Sequence, residues 1–183
     1  MTTFVVVDLS RISNAPVPLD ADSRRQSAYF RKLSATPMMT PGPLDPHAET
    51  LIGRWNVEGV QLAMPDRAEL VIRWVEEYEW LEGRFFILHR VQGHVGAEEF
   101  NCTEIIANEE IHSFYNHGRH QVWSHWFEGD RWMIQGIWRE AGHQQVRCTN
   151  NLVAADRREA LWERSIAPFE WVPSWRITAV KVV

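Results

Sequence analysis

From Leu51 onward, short segments rich in Trp, Val, Ile and Phe alternate apolar with polar side chains, and Gly, Asp or Asn interrupts them about every 8 to 14 residues. A period of two is the pattern of a strand with one face against a core. Parallel strands need crossovers of a dozen or more residues, usually helical, and the gaps here leave no room for them. The spacing therefore predicts antiparallel strands near 52–63, 68–80, 85–92, 97–107, 110–116, 121–128, 131–140, 143–154, 159–166 and 174–182. A sheet of so many short strands exposes two edges unless it closes on itself. We expect an all-β fold, a single antiparallel up-and-down barrel of about 8 to 10 strands.

The stretch before these strands is different. Six of the nine prolines precede residue 48, and none of the ten tryptophans does. The run Thr36–Pro46, TPMMTPGPLDP, cannot hold a regular helix or a central strand, because proline fixes φ and removes backbone donors. Asp22 to Leu33 can form one short helix. Residues 1–47 are read as an N-terminal arm carrying that helix, and residues 48–183 as the barrel domain. The arm can wrap the domain or contact a partner.

A net charge of -5 without a basic stripe argues against a nucleic-acid partner. No apolar run reaches the roughly 18 residues of a membrane helix, and the start of the chain does not resemble a signal peptide. The two cysteines, Cys102 and Cys148, are far apart and outside any CxxC pair, so neither a disulfide scaffold nor a cysteine metal site is expected. A cytoplasmic protein with no membrane partner is the expectation.

The segment LIGRWNVEG, Leu51 to Gly59, opens the first long strand with Gly53 and Trp55 in a G-x-W arrangement. It resembles the start of lipocalin-like (calycin) barrels. The C-terminal LWERSIAPFEWVPSWRITAVKV is similar to the closing hairpin of uncharacterised bacterial lipocalin-like domains, with Ser165 and Trp175 in the matching places but without their acidic-glycine turn. The resemblance covers roughly residues 50 to 183 and implies a barrel enclosing a small molecule. Related nitrobindin-like haem binders use a C-terminal histidine as iron ligand. This chain has no histidine after His143, so no haem and no other cofactor is implied.

With Trp55 inside, as the resemblance implies, turn centres propagate the facing of every later strand. Pro65-Asp66 sets Trp55 opposite Glu76 and Val57 opposite Trp74. Glu82-Gly83 sets Glu76 opposite His89, Tyr78 opposite Ile87 and Trp74 opposite Val91. A turn near Gly93–Gly96 sends Phe100, Cys102 and Ile106 inward, and Asn108-Glu109 selects Ile111, Ser113 and Tyr115. Turns at Gly118-Arg119, Gly129-Asp130, Ala141-Gly142 and Asp156-Arg157 then select Val122, Ser124 and Trp126, then Met133, Gln135 and Ile137. They go on to Val146, Cys148, Asn150 and Leu152, and finally Leu161, Glu163 and Ser165. Each bulge or odd-length loop reverses everything downstream, above all around His117–His120.

Glu76 facing His89 is the sharpest candidate for chemistry. A carboxylate on an imidazole orients the ring and raises its basicity, as a general base requires. Tyr115 and Tyr78 on the same face can donate to a carbonyl or phenolate oxygen, with Cys102 nearby. A buried pair satisfying itself at a closed barrel end explains the same residues. His112, His117, His120 and His125 are better read as a polar hairpin than as a metal site, because they do not converge. The candidate catalytic set is His89, Glu76 and Tyr115. Candidate ligand contacts are Trp55, Trp74, Tyr78, Ile87 and Phe100, with Cys102, Trp126, Gln135, Asn150 and Leu161. The leading expectation is binding of a small hydrophobic or aromatic molecule. The alternative is a cofactor-independent isomerase, cyclase, lyase or hydrolase using the Glu-His pair, and a third possibility is a structural protein whose cavity its own side chains fill. Phe114, Trp123, Trp138 and Trp162, all outward in this register with Phe114 opposite Trp123, suggest a homodimer.

Overall fold

In the computed structural model, residues 47–65, 67–138, 144–168 and 170–182 are described. They belong to a compact unit spanning Pro41–Val183. The predicted arm, apart from His47, lies outside the described residues, as does its helix.

Period-two alternation produces ten strands: β1 (Gly53–Gln61), β2 (Leu70–Trp80), β3 (Ile87–Val95), β4 (Glu98–Ile106), β5 (Glu110–Tyr115), β6 (His120–Glu128), β7 (Arg131–Trp138), β8 (Gln144–Ala154), β9 (Arg157–Ala167) and β10 (Glu170–Lys181). Each pairs antiparallel with its neighbours in sequence, and β1 pairs with β10, which closes the barrel. Closure leaves no free edge. A one-turn helix, α1 (Ala48–Leu51), lies at the end where β1 begins, and buries Ala48 and Leu51. Among the described residues no helix is long and apolar enough to cross a membrane.

The register agrees with expectation through the first hairpin, where Trp55 lies opposite Glu76 and Val57 opposite Trp74. At the second hairpin the chain turns one residue later than the Glu82-Gly83 centre. Gly83 and Arg84 both take positive φ there. His89 therefore lies opposite Tyr78, not Glu76, and Val91 opposite Glu76, not Trp74. The slip is two residues, so the inward face is unchanged.

At the β5–β6 turn the face does change. Ile111 pairs with Trp123 and Phe114 with His120, which centres the connection on His117 rather than between Gly118 and Arg119. Inward parity reverses along β6 and β7. Trp123, His125, Trp132 and Ile134 are buried, while Val122, Trp126 and Ile137 are exposed. The β7–β8 pairing of Ile134 with Cys148 restores the expected face, so Val146, Cys148 and Asn150 point inward. A bulge between Leu152 and Ala154 reverses it again in β9, where Arg158 is buried and Ala160 and Trp162 face the interior in place of Leu161, Glu163 and Ser165. Of the four aromatics placed outside, only Phe114 is exposed. Trp123 is buried, and Trp138 and Trp162 pack on the core.

At two glycines the neighbouring strand or side chain approaches too closely for a Cβ. A Cβ on Gly93 would lie 2.2 Å from the Arg73 carbonyl oxygen and 2.4 Å from the Trp74 Cα, both backbone atoms that cannot swing aside. A Cβ on Gly136 would meet the Trp123 ring at 2.6 Å, so the missing side chain seats that indole. Gly93→Ala is expected to lower stability by about 1–3 kcal/mol through strand displacement, seen as a lower urea midpoint. An unchanged midpoint would show that the two strands are free to separate there.

Candidate functional site

Ten strands enclose more space than the eight that side chains just fill. The interior keeps a cavity of about 130 Å³. Its two ends differ. Toward the end where β2 and β4 begin, Trp74 stacks on Phe100 with centroids 5.3 Å apart, and Trp175 contacts the two at 6.0 and 6.3 Å. Trp138 and Trp162 extend this aromatic collar, at 6.2 and 6.4 Å from Trp175. Toward α1 the wall becomes polar and charged.

That polar floor is one connected network. Glu76 accepts from the Trp74 indole N–H and the Tyr78 hydroxyl, each at 2.8 Å, and from the Arg158 guanidinium. Arg158 also donates to Asn150 at 3.4 Å and lies over the Trp55 and Tyr78 rings at 5.2 and 5.4 Å. His89 stacks flat on Tyr78, with centroids 3.9 Å apart, and its Nδ1 is 2.6 Å from Glu104 Oε2. The other Glu104 oxygen accepts from Ser113 at 2.5 Å, and Ser113 accepts from the Trp123 indole at 2.9 Å. His89 Nε2 lies 3.6 Å from Glu76 Oε2, too far for a hydrogen bond. Glu76, His89 and Arg158 are all buried.

Burial fixes the protonation of these groups. It favours the neutral form of Glu104, but the hydrogen bond of His89 and, whenever that ring is protonated, its charge, then the hydrogen bonds of Ser113 and Cys102, outweigh it and hold the carboxyl below its ordinary range. Burial lowers Arg158 to about 9, which leaves it a cation at neutral pH. Burial, then the Glu104 charge, pushes Cys102 and Tyr115 up, so neither is ready to act as an anion. Burial, then the Glu163 charge, raises Cys148 against the lowering hydrogen bond of Asn150.

These directions set a pH profile. The folded Glu104 value lies below that of the unfolded chain, so its stabilisation is complete above about pH 4.3 and is lost as pH falls through the folded value. His125 is lowered by burial, so the unfolded chain takes up its proton first and stability declines below about pH 6.5. The two raised thiols favour the protonated form, so stability declines above about pH 8.5, where unfolded cysteines ionise. Urea midpoints are expected to form a plateau between those limits. Glu104→Gln should flatten the acid limb below about pH 4.3 and spare the one near 6.5. An identical acid limb in that variant would contradict the assignment.

Of the expected site residues, Glu76, His89, Tyr115, Trp74, Tyr78, Phe100, Cys102 and Asn150 all line the cavity. Trp55 and Ile87 are buried in the core near α1 and do not reach the cavity wall. Trp126, Gln135 and Leu161 are corrected. The reversed parity of β6, β7 and β9 leaves Trp126 41% exposed, Gln135 exposed and Leu161 outside the lining. Trp123, Trp132 and Trp162 take the inward positions of those strands. His125, expected outside, is buried with its ring nitrogens on the Ala107 carbonyl and the Trp132 indole. Among the described residues no three His, Cys, Asp or Glu side chains converge as a metal site.

Sequence reasoning missed Glu104 and Arg158. Glu104 shares its facing with Cys102 and Ile106, so alternation alone marks it as an acid on the inner wall. Arg158 follows a turn and the β8–β9 bulge, and no local signal distinguishes it from its exposed neighbour Arg157.

No protein-family model matches the chain, and no curated protein matches it. Among solved structures it is similar to a protein of unknown function from the DUF3598 family of Nostoc punctiforme, at 13% identity and a TM-score of 0.52, over 81% of this chain and 53% of that one. The chain thus spans about half the length of that protein. It is also similar to a redesigned β-barrel, at 10% identity and a TM-score of 0.44, over 78% of this chain and all of the other. The likeness to the Nostoc protein is one of fold alone.

Proposed function

We propose that the protein is a lipocalin-like binder of a small, largely aromatic molecule held inside the barrel. The observation that carries this reading is the two-ended cavity, with an aromatic collar above a fixed polar floor. Such a site gains affinity from apolar area and orientation from a few convergent polar groups. The interior is not filled by its own tryptophans, which counts against a purely structural role. The G-x-W strand and the closing β1–β10 pair support the lipocalin-like assignment, and the buried free thiols suit a reducing cytoplasm.

Six of the ten tryptophans line the cavity, so an occupant should quench intrinsic fluorescence strongly. Nitrobenzene titrated into the full chain is expected to quench saturably, and native mass spectrometry of the fresh protein should show any retained small molecule. Linear, unsaturable quenching with no retained mass would reject the binder.

One observation favours a second reading, an acid–base enzyme without cofactor. Glu104 holds His89, a residue of the cavity lining, by Nδ1, the arrangement that leaves Nε2 without a partner and able to act as a base. Deuterium incorporation from solvent into a C–H of the retained molecule, abolished in His89→Asn, would support it. The same exchange in both proteins would dismiss His89 as the base.

A further inference from the structure

We infer that the cavity takes a neutral phenol, oriented with its hydroxyl at the polar floor and donating its proton in a hydrogen bond to His89 Nε2. This deepens the binder reading and rests on it. The inference begins with the tautomer. Glu104 Oε2 is 2.6 Å from His89 Nδ1, and a carboxylate only accepts, so Nδ1 carries the proton. In a neutral ring Nε2 is then an acceptor. It is buried and has no hydrogen-bond partner among the described residues. Its nearest polar neighbour, Glu76 Oε2, is another acceptor, already taken by Tyr78 and Arg158. The position lacks a donor, and only an occupant of the cavity can supply one.

The same polar floor has a second orphan. Arg158 also meets Glu76 Oε2, and its buried Nε–H has no acceptor. An ammonium would satisfy the histidine but not the arginine. A carboxylate would satisfy the arginine but not the histidine, and would add a third anion beside Glu76 and Glu104. A hydroxyl donates and accepts at one atom. An aromatic hydroxyl fits the Trp74–Phe100–Trp175 collar, and the cavity of about 130 Å³ is close to the ~150 Å³ that accommodates a benzene ring. Its acidity also makes it a stronger donor than an aliphatic alcohol.

The probes are 3-nitrophenol, its near-isostere 3-nitrotoluene, and 3-nitrobenzoate, titrated into the full chain by tryptophan quenching at about pH 7, where the free phenol is protonated and the protein is on its stability plateau. The phenol is expected to bind about tenfold or more tighter than 3-nitrotoluene, despite being less hydrophobic, with the benzoate weakest. In His89→Asn an amide N–H can stand where Nδ1 is and nothing reaches the place of Nε2, so the phenol's advantage should fall to about twofold or less. The wild-type protein supplies a readout independent of that variant. The ¹⁵N resonance of His89 Nε2 should shift on adding the phenol and not on adding 3-nitrotoluene. Equal binding of phenol and toluene, or an unmoved resonance, overturns the hydroxyl inference and leaves the binder in place. Binding of none of the three overturns the binder reading itself.

Discussion

Arg158→Met is expected to lower the unfolding free energy by about 3–5 kcal/mol, the cost of removing one partner from a buried ion pair. Arg158 reaches from β9 to Glu76 on β2, strands separated by β1 and β10 in the barrel wall, so the contact ties the wall together through its interior. Without it Glu76 keeps the indole of Trp74 and the hydroxyl of Tyr78, two neutral donors for a buried anion. Methionine fills much of the volume over the Trp55 and Tyr78 rings, so the loss reads mainly as electrostatic. The double variant Glu76→Gln, Arg158→Met should recover a large part of it, because an amide accepts from the same donors without an uncompensated charge. Urea unfolding with an unchanged m-value is the measurement. A single variant within about 0.5 kcal/mol of wild type would mean that Glu76 finds another partner, or water, inside the barrel.

The sequence made the barrel legible because it depends on period, and period survives local errors. Ten alternating segments predict ten strands whatever the facing of each. Facing depends on turns, and a turn centre is a matter of one residue. Gly129-Asp130 is a two-residue turn with glycine at φ 58°, and Trp126 lies opposite Met133 as the turn requires. The connection from Tyr115 to Arg119 contains a glycine in the same region of φ, but it is odd in length, so the glycine marks the turn without fixing its centre. The register expected from the turns puts Trp126 and Gln135 in the cavity and Trp123 outside it, the reverse of the structure. A sequence-level warning was present, since that register left three tryptophans in water. Reversing β6, β7 and β9 turns all three inward, with Trp123 buried and Trp138 and Trp162 packed on the core. The site divides along the same line. Glu76, Tyr78 and His89 precede the β5–β6 reversal and line the interior as their facing predicts, although the Glu76–His89 contact proves to be diagonal. Arg158 follows that reversal, and its facing is not legible from the turns.

Trp55→Ala is expected to cost about 3–5 kcal/mol, and more than Trp55→Phe, because the indole does three different things. Its ring is buried beside α1 at the first strand of the barrel. Its N–H donates to the Leu51 carbonyl at 2.8 Å, satisfying a group at the end of a one-turn helix that has no further turn to do so. Two cations lie over the ring, Arg158 at 5.2 Å and Lys181 at 5.0 Å. Lys181 is also the residue opposite Trp55 on β10, and its ammonium donates to the Thr50 carbonyl, so one indole joins the closing pair of strands, the helix and the charged floor. Phenylalanine keeps apolar area but loses the N–H, leaving a buried carbonyl unpaired at about 1–3 kcal/mol, and offers a weaker face to the cations. The G-x-W pattern thus has a mechanical reason in this chain. Trp closes the barrel, and Gly53, at φ 124°, supplies the backbone turn from helix to strand that most side chains resist. Urea midpoints ordered wild type, Phe, Ala would support this division of labour. Equal losses for Phe and Ala would place nearly all of the effect in the N–H, and the ring's packing and cation contacts would then contribute little.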